Sequence, residues 1–203
     1  MFPRYLTPLC MFTLFSVASP VVADDMATPE HLINALREGG HVLYIRHAQT
    51  ESDYADQVSA DPLDCSTQRV LSRFGWAQAR SIGAAISMAE IPVGEVISSQ
   101  YCRAWQTADL AFGRFEEHPD LNFEPAEDYT DDQFAAMRTR VVPLITAPME
   151  DGANRVIVGH DDPFEAVTGI YPEPQGVAYV LSVGQDGMIN VLGHIPPDGW
   201  PNM

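Results

Sequence analysis

The sequence contains no lysine, so its positive charge comes entirely from arginine. The chain has 11 basic residues, all arginine, against 28 acidic residues, and its formal net charge is −17 at pH 7. Such a surface repels nucleic acid and anionic membranes, and we expect neither as a partner. A site that binds an anion must therefore build a local pocket of positive charge, and arginine is the permanently charged residue available for it.

Long apolar runs are also missing after the start of the chain. Arg4, the apolar stretch over residues 6–17 and the small residues up to Ala23 are typical of a secretory signal peptide. The stretch is shorter than the roughly 20 apolar residues of a spanning helix. We predict a signal peptide over residues 1–23, one domain over residues 24–203, and a periplasmic protein without a membrane anchor.

Cysteine is scarce, with three residues in the whole chain. Cys65 and Cys102 are those that remain after the predicted cleavage. In an oxidising compartment an even pair is a candidate for a disulfide. Two reduced, separately buried thiols are the alternative.

Short apolar strands alternate with helices along the predicted domain. Strands are predicted at residues 42–45, 93–97, 155–158, 177–183 and 188–195, and helices are predicted to begin near Thr28, Ser72, Tyr101 and Thr130. Pro143 is expected to kink or end the last of these helices. The pattern predicts an α/β three-layer sandwich, with a mostly parallel central sheet, helices on both faces and an antiparallel edge from the last strand pair.

The helix after Ser72 has apolar residues at helical spacing. Phe74, Ala77, Ile82 and Ile86 are among them, and we expect them to form its buried face.

Three of the predicted strands end in polar residues. The first ends in Arg-His-Ala-Gln-Thr at residues 46–50, the second leads through Ser98 and Ser99 to Arg103, and the third ends in Gly-His-Asp at residues 159–161. In an open α/β sheet, ligands bind beyond the carboxyl ends of the strands. Two arginines and two histidines should therefore converge there in a cationic pocket.

This composition suits phosphate chemistry. A phosphoryl group carries nearly two negative charges on several oxygens, and arginine binds such oxygens in a bidentate fork. A neutral imidazole is a good nucleophile towards phosphorus when a backbone carbonyl fixes its N–H. Cations held in place then stabilise the charge during in-line transfer.

The segment at residues 46–50 resembles the Arg-His-Gly-x-Thr motif of the histidine phosphatase superfamily. Residues 98–108, with a serine pair, an arginine and Thr-Ala, resemble its second motif, and residues 158–160 resemble the strand that carries its second catalytic histidine. The resemblance covers roughly residues 35–195 and implies a phosphoglycerate mutase-like fold.

By this resemblance, each motif residue acquires an expected role. His47 is the phosphorylated nucleophile and His160 its electrostatic partner, while Arg46, Arg103 and Thr50 bind the phosphate. No metal or other cofactor is expected. Ala48 stands where the family usually has glycine.

The proton donor is less determined than the other roles. The family places it either on an Asp directly after the second histidine or on a Glu in the middle of the chain. Asp161 occupies the first position and is the expected donor, and Glu124 is the alternative.

The leading functional hypothesis is hydrolysis of phosphomonoesters, or of phosphohistidine, through a phosphohistidine intermediate on His47. The principal alternative is a non-catalytic protein that binds a phosphorylated ligand in the same pocket. A phosphoglycerate mutase-like transfer and a His/Asp metal hydrolase are further alternatives. The partner is an unidentified phosphorylated substrate, and we expect a monomer or a weak homodimer.

Overall fold

The computed structural model describes residues 26–53, 55–57, 60–124 and 129–201. The predicted signal peptide over residues 1–23 lies outside these ranges. Within them, no helix combines the length and the apolar character needed to cross a membrane.

The secondary structure alternates along the described chain. The strands are β1 (Val42–Arg46), β2 (Val93–Ser98), β3 (Glu116–Glu117), β4 (Asn154–Gly159), β5 (Ala178–Val183) and β6 (Ile189–Ile195). The helices are α1 (Pro29–Glu38), α2 (Arg73–Met88), α3 (Cys102–Phe112), α4 (Asp131–Thr146) and α5 (Asp161–Thr168), with short 3-10 helices at Cys65–Thr67 and Pro119–Leu121.

In the described ranges the strands form one sheet of six, in the order β3-β2-β4-β1-β5-β6. The pairs β3–β2, β2–β4 and β4–β1 are parallel, whereas β5 is antiparallel to β1 and β6 is antiparallel to β5. The predicted α/β class, with a mostly parallel sheet and an antiparallel edge, is confirmed.

Alternate residues of β1 face two separate apolar clusters. Leu43 and Ile45 pack with residues of α1, α2 and α3 on one face, whereas Val42 and Tyr44 pack with residues of α4 and α5 on the other. All four side chains are fully buried. This double burial makes β1 a continuous apolar run and places its carboxyl end in the middle of the molecule.

The inner face of α2 differs from the prediction at its start. Phe74 is 62% exposed and Ala77 is exposed as well, whereas Ile82 and Ile86 are buried as expected. Gly75 explains the difference, since a Cβ there would lie 1.9 Å from the carbonyl oxygen of Gln49. The first turn therefore packs Gly75 directly against the backbone that follows β1, and Phe74 points outwards.

Two further elements depart from the prediction. The helix α4 does not end at Pro143 but continues to Thr146, and Val141 and Ile145 on either side of the proline are fully buried. Packing of this face holds the last turn in place despite the lost N–H. The eight-residue helix α5, directly after His160, was not predicted.

Candidate active site

The pairing of β1 with β4 brings the first and third motifs together. Arg46 lies opposite Gly159 in the parallel register, and the backbone N–H of His47 donates to the carbonyl oxygen of Gly159 at 2.9 Å. The rings of His47 and His160 are consequently neighbours, with centroids 5.4 Å apart.

The imidazole of His47 is held in one orientation. Its Nδ1 lies 2.9 Å from the carbonyl oxygen of Ala48. Because a carbonyl only accepts, Nδ1 carries the proton and Nε2 keeps its lone pair. Burial lowers the pKa of His47 well below its usual value, and the charges of Arg103 and Arg46 act in the same direction. The ring is therefore a neutral nucleophile at physiological pH.

His160 is fixed through both its ring and its backbone. Its Nε2 lies 2.8 Å from the hydroxyl of Ser99. The Tyr44 hydroxyl donates to the carbonyl oxygen of His160 at 2.8 Å and accepts from its N–H at 3.1 Å. Gly159 makes this possible, because a Cβ there would lie 2.3 Å from the Tyr44 hydroxyl oxygen. Burial, followed by the charge of Arg103, lowers the pKa of His160 well below its usual value.

The two predicted phosphate-binding arginines are both paired with carboxylates. Arg46 donates to Asp161 at 2.5 Å and to the carbonyl oxygen of Pro172 at 2.8 Å. Arg103 donates to Asp56 at 2.8 Å. Both guanidinium groups are almost fully buried, so the carboxylates balance their charge in a poorly solvated environment.

A cavity of about 360 Å³ opens beside these pairs. Charged and aromatic side chains make up its lining, which consists of Arg69 and Arg103, Asp56, Asp161 and Asp162, and Phe123, Tyr129 and Tyr171, together with Ala55. The ring of Phe123 is 4.8 Å from that of His160, edge on, so the histidines lie behind the cavity wall.

Arg69 is a third cation of the site that the sequence did not reveal. Its charge, with those of Arg46 and Arg103, acts on both histidines. Asp56 links two of the arginines, since the same oxygen accepts from the backbone N–H of Arg69 at 2.7 Å and from Arg103. Arg69 follows a loop without periodicity, and no pattern in that loop indicates which side chains reach the cavity.

Several buried nitrogen atoms in this region lack a protein partner. Among the residues that the structure describes, the Nε atoms of Arg46, Arg69 and Arg103 and Nδ1 of His160 are buried without a hydrogen bond. Leaving such groups unpaired costs about 1–3 kcal/mol each. The site is therefore organised to receive an acceptor with several oxygens.

The remaining predicted residues lie in different surroundings. Asp161 lines the cavity, where its Oδ2 also accepts from the Tyr171 hydroxyl at 2.6 Å. Glu124 pairs with Arg140 on α4 at 2.6 Å and does not line the cavity. Thr50 hydrogen-bonds to Gln175 through its backbone and hydroxyl. The roles predicted for these three residues stay predictions.

The predicted disulfide between Cys65 and Cys102 is present, with Cα atoms 5.7 Å apart. It joins the loop before Arg69 to the first residue of α3, directly before Arg103. The buried side chain of Gln68 reinforces this connection by accepting from the backbone N–H of Cys102 at 2.8 Å. A disulfide is consistent with a secreted protein.

Comparison with solved structures shows that other proteins share this fold. The protein histidine phosphatase SixA, solved with tungstate, is 16% identical and has a TM-score of 0.54 over 78% of this chain and 97% of its own. A mycobacterial glucosyl-3-phosphoglycerate phosphatase, solved with VO3, is 16% identical, with a TM-score of 0.57 over 75% and 97%.

A third structure, of a putative alpha-ribazole-5'-P phosphatase from Escherichia coli, is also 16% identical, with a TM-score of 0.54 over 74% of this chain and 94% of its own. At this level of identity the likeness concerns the fold. No curated protein matches the sequence significantly.

The fold is the one that these phosphatases of phosphoglycerate mutase-like architecture share. The family model of the histidine phosphatase superfamily (branch 1) matches residues 42–122, which include the first two motifs. This match agrees with the resemblance of the motifs to that superfamily.

Proposed function

We propose that this protein is an exported, metal-independent phosphatase that hydrolyses phosphomonoesters through a phosphohistidine on His47. One observation carries the proposal. A neutral, buried imidazole lies among three arginines, and the described residues leave the Nε–H donor of each arginine unpaired. An incoming phosphate supplies the missing acceptors.

Binding of substrate begins with an exchange of partners. The phosphate oxygens replace the carboxylate of Asp56 at Arg103 and engage Arg46 beside it. This exchange opens the way to His47, which is only 1% exposed. Since the guanidinium groups are already in place, little reorganisation accompanies transfer.

Transfer then follows from the orientation of His47. Its Nε2 lone pair attacks phosphorus while Nδ1 stays bonded to Ala48. The arginines stabilise the charge on the equatorial oxygens. Water hydrolyses the phosphohistidine in a second step and restores the free imidazole.

The structural relatives support this assignment by what they bind. One was solved with tungstate and another with VO3, and both are oxyanions that resemble phosphate. A screen of phosphorylated compounds, which includes small esters and a phosphohistidine protein, identifies the substrate. The same screen with a chelator present tests metal independence.

Export is supported by the disulfide and by the sequence pattern over residues 1–23. N-terminal sequencing of material from the periplasm is expected to begin at Asp24. Full-length cytoplasmic protein alone would contradict this part of the proposal.

The first prediction concerns His47→Ala. The variant is expected to lose turnover completely while it keeps its fold, because the covalent route needs this nitrogen. Labelling with a phosphorylated substrate and an alkaline quench should trap an acid-labile phosphoenzyme in the parent and none in the variant. His31→Ala, which changes an exposed histidine of α1, is the matched control and should behave as the parent.

Two results would decide against the proposal. Activity that persists in purified His47→Ala would exclude the covalent mechanism. Vanadate binding by a parent protein that hydrolyses no phosphate compound would favour the non-catalytic binding protein instead.

A further inference from the structure

The cavity beside His47 is lined by three carboxylates that differ in their partners. Asp56 is paired with Arg103 and Asp161 with Arg46, at 2.8 Å and 2.5 Å. Asp162 has no arginine partner among the residues that the structure describes. A carboxylate paired with a guanidinium group holds its charge, whereas an unpaired carboxyl group can hold a proton.

The surroundings of Asp162 are suited to a protonated carboxyl group. The Tyr129 hydroxyl oxygen lies 2.9 Å from the carbonyl oxygen of Glu124 and 3.1 Å from Oδ2 of Asp162. The hydroxyl has one proton, and a carbonyl only accepts. Both contacts are therefore full hydrogen bonds only when Tyr129 donates to Glu124 and a protonated Asp162 donates to Tyr129.

We propose that Asp162 is the proton donor of the reaction, in place of Asp161, which the family resemblance suggests. The proposal rests on the proposed phosphatase function and deepens it. Asp161 then acts as the partner that orients Arg46, a role that its contact with the Tyr171 hydroxyl reinforces.

The proton balance is complete in both steps. As the bond between Nε2 of His47 and phosphorus forms, the bond from phosphorus to the leaving oxygen breaks, and that oxygen takes the proton of Asp162. In the second step a water oxygen attacks phosphorus, the nitrogen–phosphorus electron pair returns to His47, and the Asp162 carboxylate takes the proton of the water. Phosphate leaves and Asp162 is protonated again.

The charges around Asp162 agree with this role. Burial raises the pKa of Asp162 to about 6, and the neighbouring charge of Asp161 acts in the same direction, as does Glu165 on the same helix. The charge of Arg46 acts against them, as does a bond that Tyr129 donates when the carboxylate is ionised. The other charged groups of the cavity lining are Asp56, Arg69 and Arg103. A pKa near the working pH is what a general acid requires.

The experiment compares two substrates whose leaving groups differ in how strongly they require protonation. The leaving group of 4-nitrophenyl phosphate departs as a stable phenolate, whereas 4-nitrobenzyl phosphate releases an alkoxide that must be protonated. Asp162→Asn is expected to lower kcat/KM about 100-fold for the benzyl ester and less than about threefold for the phenyl ester, within the usual contribution of a general acid.

The pH profile gives a second readout that a purely structural role would not change. In the parent, the ratio of kcat/KM for the benzyl ester to that for the phenyl ester should fall as the pH rises through about 6, because the donor loses its proton. The ionisation of each substrate phosphate is measured separately and corrected for before the ratio is taken. In Asp162→Asn the ratio should be low and independent of pH.

Asp109→Asn is the matched control, since it makes the same change at an exposed carboxylate of α3 outside the cavity lining. It should leave both esters near parental rates. Asp161→Asn should lower the rate of hydrolysis of both esters by a similar factor, because Asp161 orients Arg46. Asp162→Ser is a second variant that removes the acid, and vanadate binding by each variant shows that the site is folded.

Two outcomes would overturn the assignment. Equal losses for both esters in Asp162→Asn and Asp162→Ser would give Asp162 no part in protonation. A loss confined to the benzyl ester in Asp161→Asn would return the role to Asp161. In either case the phosphoenzyme on His47 would still form, so the proposed function would stand.

Discussion

Arg103 is positioned by stacking as well as by charge. Its guanidinium carbon lies 5.2 Å from the ring centres of both Tyr101 and Phe123, and it donates to Asp56. A planar group on aromatic faces keeps its donors in a fixed plane, which suits a phosphate that needs two of them at once.

Arg103→Lys is therefore expected to be a poor substitute. The charge remains, but the stacking plane and the second donor are lost, and we expect kcat/KM to fall at least about 100-fold. Vanadate titration with steady-state kinetics is the measurement. Arg73→Lys, which changes an exposed arginine at the start of α2, is the control. A parental rate in Arg103→Lys would show that point charge alone suffices.

Individual residues were predictable where they lie at strand ends. His47, Arg103 and His160 follow buried apolar strands, and the common direction of parallel strands brings them to one edge. Asp56 and Arg69 come from a loop with neither periodicity nor apolar anchors. Their position depends on contacts with α3 that form only in the folded chain.

At the scale of elements, the disulfide connects the loop that contains Asp56 and Arg69 to α3. It closes a separation of 37 residues between Cys65 and Cys102. The link lies four residues before Arg69 and one before Arg103, so it holds two of the three cations of the site near each other.

Replacement of both cysteines by serine should therefore affect stability and binding together. Closure of a loop of this length is worth about 3 to 4 kcal/mol in the chain-entropy model, and phosphate affinity should weaken several-fold as Arg69 gains freedom. Urea unfolding and phosphate titration measure the two effects. A reductant should change the parent and leave the serine variant unaffected. An unchanged unfolding midpoint would contradict the expectation.

The helix α5 shows where prediction of elements fails. Its N-cap is His160, whose side chain makes no capping bond, and it is only eight residues long. The usual capping signal is therefore missing, because the residue at that position is committed to Ser99. The acidic pair in its first turn, Asp161 and Asp162, indicates a helix start only once β4 is known to end there.

For the whole molecule, the two buried histidines connect stability to pH. Both have a pKa well below the value of about 6.5 expected in an unfolded chain. Below pH 6.5 the unfolded chain takes up protons that the folded protein does not. The free energy of unfolding is therefore unaffected by these two histidines above that pH, and it decreases as the pH falls below it.

We expect the free energy of unfolding to decrease between pH 7 and pH 5, with up to about 1.4 kcal/mol per pH unit for each histidine. His47→Gln should remove one histidine's share of this slope, whereas His31→Gln, at an exposed position, should not change it. Urea unfolding at several pH values gives the slopes. Identical slopes in all three proteins would show that His47 has the same pKa in the folded and the unfolded chain.

The central pairing of β1 with β4 also determines at which stage of folding the site forms. Arg46 and Gly159 are adjacent across the sheet although more than 100 residues separate them in the chain. Helices form from local contacts within about a microsecond, but a contact between such distant segments must overcome a large loop-closure entropy. A nascent or unfolded chain therefore has its nucleophile and its second histidine on separate, unconnected segments. The ability to bind phosphate therefore appears only once this long-range pairing has formed.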